Sequence, residues 1–124
     1  MKTSTTMMLS SAIEIATGVA LLAVPDLVAR VLLGTALSDI GIAVARLAGC
    51  GLLSLGLACW PNGNEPAPNA TRALFTYNLL AGFYLGYLRL GGGFVSFLLW
   101  PACAVHVMLA LLLARPAYRT WHRE

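Results

Sequence analysis

One polar or ionisable side chain stands near the middle of each of four long apolar stretches in this 124-residue chain. They are Glu14 in the first, Arg46 in the second, the Tyr77-Asn78 pair in the third and His106 in the fourth. A carboxyl, a guanidinium, an amide and an imidazole brought together can hold a small polar head group, or pass a proton among themselves. Ionisable groups are expensive in hydrocarbon and are kept where they face a protein interior. Their recurrence in every stretch points to one shared internal site of Glu14, Arg46, Asn78 and His106, which binds a small amphiphile or relays protons.

The elements that would carry these groups follow from composition. The chain is 59% hydrophobic and 10% charged, with mean hydropathy +0.78, whereas a soluble domain carries roughly 25% charged residues. A span needs about 20 apolar residues, so four spans and short connections use up the length as a single domain, 1–124. The expected spans are residues 7–24, 40–60, 71–90 and 94–113. Pro25 closes the first, and residues 26–33 form a short helix with Asp26 and Arg30 four apart on one face, lying along the membrane surface. Trp60 and Pro61 end the second span, residues 61–69 form a polar linker, and Gly91-Gly92-Gly93 reverses the chain before Phe94. A basic tail follows from Arg115. The fold class is therefore all-α, an integral membrane four-helix bundle with a short interfacial helix between spans one and two. Nothing alternates with a period of two, which argues against a barrel.

The net charge of +3 reads as orientation rather than as a nucleic-acid surface. Lys2, Arg72, Arg115, Arg119 and Arg123 fall on the side of the termini, against Arg30 and Arg89 on the other, which puts both termini in the cytoplasm. Lys2 and the following apolar run also have the outline of a cleaved signal peptide, and Glu14 in the middle of that run argues against it. With that orientation, Glu14, Asn78 and His106 each come out about 11 to 12 Å from the cytoplasmic edge. Arg46 lies nearer the other edge, and its long stem reaches several ångström toward the same layer.

Each of these residues also has a plainer reading. Arg46, seven residues after Asp39, can snorkel outward. Asn78 can serve as interhelical glue, His106 as a hydrogen-bond donor, and Glu14 as a neutral hydrogen-bonded carboxyl. Tyr77, turned about 100° from Asn78, is expected to face lipid. Small residues recur every four positions at Gly41, Ala45 and Gly49, and again at Gly82 and Gly86, and the two stripes are expected to meet.

Cys50, Cys59 and Cys103 contain no C-x-x-C and no zinc motif, so no metal site is expected. Cys50 and Cys103 come out at similar depth and form a candidate thiol pair across helices two and four. No Walker loop, dinucleotide fingerprint, H-E-x-x-H or serine elbow is present, and the reading leans away from an enzyme.

The run from Gly18 through Pro25, the short amphipathic piece ending Leu32-Leu33-Gly34, Ala45-Arg46-Leu47-Ala48-Gly49 at the head of a glycine-rich span, and Leu99-Trp100-Pro101 resemble the small four-helix bacterial inner-membrane proteins of the DoxX-like group. That resemblance implies a multi-pass protein of the bacterial inner membrane with a buried polar pocket. Some of the wider group are linked to quinone-dependent sulfur oxidation. The expected function is a non-enzymatic membrane protein in contact with lipid, as a homo-oligomer or an accessory subunit of a larger complex, with no nucleic-acid partner. The alternative is a quinone-linked thiol redox component using Cys50 and Cys103, with quinone as its cofactor.

Overall fold

A computed structural model describes residues 2–63 and 67–122. Among them are five helices and no strand: α1 (Thr3–Ala23), α2 (Pro25–Leu33), α3 (Asp39–Ala58), α4 (Pro68–Leu90) and α5 (Leu99–Trp121). Three of these, α1, α3 and α5, are long and apolar enough to cross a membrane, which makes this an all-helical, multi-pass membrane protein. The remaining long helix, α4, is diluted by Arg72, Asn78, Arg89 and three tyrosines.

Burial is distributed inside out. Thr6, Ser10, Ser11, Glu14, Thr71 and Asn78 are buried, while Ile40, Leu47, Phe83, Leu90, Val95 and Phe97 are exposed. Water would penalise that arrangement. Lipid favours it, because hydrocarbon solvates the outer leucines and the polar groups find partners inward.

Local signals set the helix ends. The chain leaves α1 at Val24, since a residue before proline avoids the helical region, and Pro25 then opens α2 at a position where no amide hydrogen bond is lost. Gly34 ends α2 in the left-handed conformation, φ 77°, with its N–H on the Arg30 carbonyl. Asp26 accepts from Arg30 Nε at 2.7 Å and from the Leu37 N–H at 2.8 Å, which ties α2 to the entry of α3. Ser38 caps α3 by accepting from the Gly41 N–H at 3.2 Å.

α1 and α4 begin a little earlier than expected, at Thr3 and Pro68, and the largest departures are at the two ends of α5. The fourth long helix begins at Leu99 rather than Phe94, and it continues past Leu113 to Trp121, so most of the expected basic tail is helical. Pro101 explains the start, because proline is tolerated in the first turn and would cost a hydrogen bond deeper in a helix. Residues before it instead follow the turn at Gly93, φ 73°, and Ser96 Oγ donates to the Val31 carbonyl at 2.6 Å. At the far end α5 runs through Pro116. Tertiary contacts hold this last stretch: Arg72 of α4 donates to the Thr120 hydroxyl at 3.1 Å and to its carbonyl, and Phe75 meets Trp121 edge-on at 5.8 Å. Arg123, counted above in the basic tail, and Glu65 of the linker lie outside the described residues.

α1 occupies the middle, with α3 along one side and α4 and α5, paired with each other, on the other. The two stripes of small residues therefore do not meet. Gly49 faces Gly18 of α1: a Cβ on Gly18 would stand 2.6 Å from the Leu53 nitrogen, and one on Gly49 would stand 2.8 Å from the Gly18 carbonyl oxygen. Gly56 comes equally close to Ser11 and Ile15. Gly82 and Gly86 instead face Val107 and Cys103 of α5. Each stripe lets a different pair of backbones approach, and spacing alone does not say which helix sits opposite.

Two outcomes follow. Gly49→Ala should lower stability by about 1–3 kcal/mol, because the clash is with backbone, whereas Gly51→Ala, with open space at its Cβ, should be neutral; thermal unfolding in detergent measures both. The hydrogen bonds from Arg30 and then Leu37 hold the Asp26 carboxyl below its ordinary 3.8. A carboxyl lowered in the fold stabilises above its unfolded value and loses that contribution as the pH falls through the lower folded value. Hydrogen exchange at the Leu37 amide, referenced at each pH to Asp26→Asn, should therefore lose its protection only below pH 3.8.

Candidate functional site

The buried face of α1 comprises Thr6, Met7, Ser10, Ser11, Glu14 and Gly18, residues three and four apart. Polar groups thus line the one helix that touches all the others. Opposite them, α4 presents Thr71, Leu74, Asn78 and Gly82, and α5 presents Cys103, His106 and Ala110.

Asn78 joins three helices. Its Nδ2 donates to the Leu74 carbonyl and to Ser10 Oγ, each at 2.8 Å, and its Oδ1 lies 2.9 Å from His106 Nδ1. A carbonyl only accepts, so the Leu74 contact fixes which end of the amide carries the hydrogens. Oδ1 is then the acceptor and His106 Nδ1–H must donate to it. In a neutral ring this leaves the lone pair on Nε2, which makes no hydrogen bond among the described residues.

Glu14 sits four residues beyond Ser10 and is 1% exposed. Neither carboxyl oxygen has a partner of full hydrogen-bond geometry, and the Ser11 hydroxyl beside it is equally unpaired. The nearest polar neighbour is the Tyr77 hydroxyl. Tyr77 is half-buried and meets the His106 ring edge-on, with centroids 5.8 Å apart. The expectation that Tyr77 faces lipid is thus corrected. A rotation of about 100° from Asn78 still leaves a long side chain able to turn back over α1.

Glu14, Asn78 and His106 share one layer, linked through the Asn78 amide and the Tyr77 ring. Arg46 does not join them. It is exposed on α3, which runs along α1 and makes no comparable contact with α4 or α5, and among the described residues it forms no ion pair with Asp39. The two candidate thiols also stand apart. Cys50 is exposed on α3, while Cys103 is buried on α5 with Sγ donating to the Gly82 carbonyl at 3.3 Å. No group of three metal-ligating side chains comes together among the described residues.

Sequence reasoning passed over Ser10, Ser11 and Thr71. Thr71 Oγ1 lies 3.3 Å from Met7 Sδ and 3.1 Å from the Ala67 carbonyl, and its one hydrogen is donated to either. The signal was present as a polar stripe at helical spacing through residues 6, 10, 11 and 14 inside an otherwise apolar span.

Chemically, the layer holds one buried carboxyl with a phenol beside it, one imidazole with a free nitrogen, and an amide that fixes the imidazole tautomer. Comparison with protein-family models, curated proteins and solved structures finds no match to this chain. The ¹⁵N spectrum of histidine-labelled protein should show the neutral His106 ring protonated at Nδ1. In Asn78→Leu this preference should vanish, with a loss of roughly 1–3 kcal/mol from the stranded Ser10 and His106 groups.

Proposed function

We propose that this chain is a small, non-enzymatic four-helix-bundle membrane protein whose central carboxyl, Glu14, exchanges a proton with the surface through Tyr77 and His106. The observation that carries this reading is the Glu14 carboxyl, buried beside the Tyr77 hydroxyl with neither oxygen in a hydrogen bond of full geometry. A buried carboxyl needs either a proton or a cation, and no cationic side chain is its neighbour among the described residues. A proton leaving Glu14 is taken up by the lone pair of His106 Nε2, directly or through the Tyr77 hydroxyl, which passes its own proton on as it accepts. The imidazolium so formed keeps its Nδ1–H on Asn78 and returns the Nε2 proton toward the exposed side of α5.

The same reading places α4 across the membrane as a fourth span and α2 along the surface, with both termini cytoplasmic in a bacterial inner membrane. The resemblance to the DoxX-like group belongs to this proposal, as does an accessory or homo-oligomeric role through the apolar outer face of α3. Exposed Ile40, Val44, Leu47 and Leu57 on that face support contact with lipid or a partner. The quinone-linked thiol alternative gains no support, because Cys50 and Cys103 face different surroundings.

Infrared spectroscopy of the protein in lipid tests the relay. The Glu14 carboxyl band, assigned by its loss in Glu14→Gln, should exchange with D2O on the order of a hundredfold more slowly in His106→Ala. Equal exchange in the two proteins would leave the polar layer as helix glue only. Unfolding of Glu14→Gln in parallel separates a lost relay from a lost fold.

A further inference from the structure

Beyond the polar layer, two recesses on the outer surface of α4 and α5 join end to end. The larger, about 650 Å³, is an apolar groove floored by Gly82, Gly86 and Cys103 and walled by Phe83, Tyr87 and Leu111. The smaller, about 530 Å³, lies at the end of α5 and is lined by Arg115, Tyr118, Arg119 and Trp121. Phe75 and Ala114 belong to both, so the groove opens directly onto the two arginines.

The two ends of this trough ask for different chemistry. From Phe75 to Leu90 α4 rises about 22 Å, enough to take an acyl chain through the full depth of one leaflet, about 15 Å. Gly82 packs on Val107 of α5, and the floor is open at Gly86, where a Cβ would meet only Cys103 Sγ, at 3.6 Å. At the open end Arg115 and Arg119 are exposed, one helical turn apart, and among the described residues neither has a carboxylate partner. Trp121 and Tyr118 stand beside them, as interfacial aromatics do at head-group level. A second copy of the chain offers these arginines no anion among its described residues. Among the described residues its other carboxylates, Asp26 and Asp39, sit at the opposite end of the helices.

From this charge complementarity at the mouth of an apolar trough, we propose that the α4/α5 groove is a binding site for an anionic glycerophospholipid. Its phosphate is held by Arg115 and Arg119, and one acyl chain lies over Gly82 and Gly86. The site is independent of Glu14, which lines neither recess.

Native mass spectrometry of the full chain in detergent, with equimolar dioleoyl phosphatidylglycerol and dioleoyl phosphatidylcholine, tests it. The wild-type protein should retain phosphatidylglycerol preferentially. Arg115→Gln/Arg119→Gln should lose that preference by on the order of tenfold, and Gly86→Leu, whose Cβ would meet only Cys103 Sγ, should retain less of both lipids. Glu14→Gln should behave as wild type, which keeps this test separate from the proton relay. Melting temperatures of the variants confirm that each is folded. Equal retention of the two lipids, or a preference that survives loss of both arginines, overturns the proposal. So does displacement of the lipid by inorganic phosphate alone, which marks a free-anion site, or a lipid-free dimer, which marks a contact between copies.

Discussion

The Asn78 amide is the fixed point of this protein. Its two donors and one acceptor are divided among α4 itself, Ser10 of α1 and His106 of α5. In water each contact would be replaceable by solvent, but in a low-dielectric interior an unmade hydrogen bond has no substitute. The three helices are therefore held in register by one side chain, and the tautomer of the neighbouring histidine is set as a by-product. Glu14 owes its position to the same clamp, because Ser10 lies one turn away on the same face of α1.

The contact between α1 and α3 rests on different physics. Gly18, Gly49 and Gly56 bring two backbones together with no side chain between them. Lipid tails solvate leucine as well as protein does, so close approach has to win by dispersion over many atoms rather than by the hydrophobic effect. One half of the protein is thus joined by polar groups that specify geometry, and the other by the absence of side chains. The polar layer falls where the two kinds of contact share α1.

This division explains what could be read from the sequence. Glu14, Asn78 and His106 were found in one layer because a helix converts residue number into depth at a constant rate, whatever lies beside it. Rotation and neighbour identity have no such rule. Arg46 lies nearer the other end of its helix and turns outward, because α3 lies along α1 and the sequence does not encode which flank it takes. For the same reason the stripes at Gly49 and at Gly82 and Gly86 are legible in the sequence as contact surfaces, while the helices they meet are not. Tyr77 was misjudged by treating its Cβ direction as the place where its hydroxyl ends. The start of α5 was written in Pro101, while its end was hidden, since Pro116 looks like a stop until Arg72 and Phe75 are known to grip Thr120 and Trp121.

Pro116 has one more effect. In an α-helix the amide of residue 116 returns a hydrogen bond to the carbonyl of residue 112, and proline has no amide to return. The Leu112 carbonyl is left as an open acceptor one turn inside Arg115, on a helix whose outer face there is exposed. A backbone carbonyl without its helical amide calls for another donor, which water or a lipid head group can supply on the exposed face of α5. The acceptor that Pro116 frees thus lies one turn before Arg115, so the polar surface of α5 begins earlier than its charges indicate.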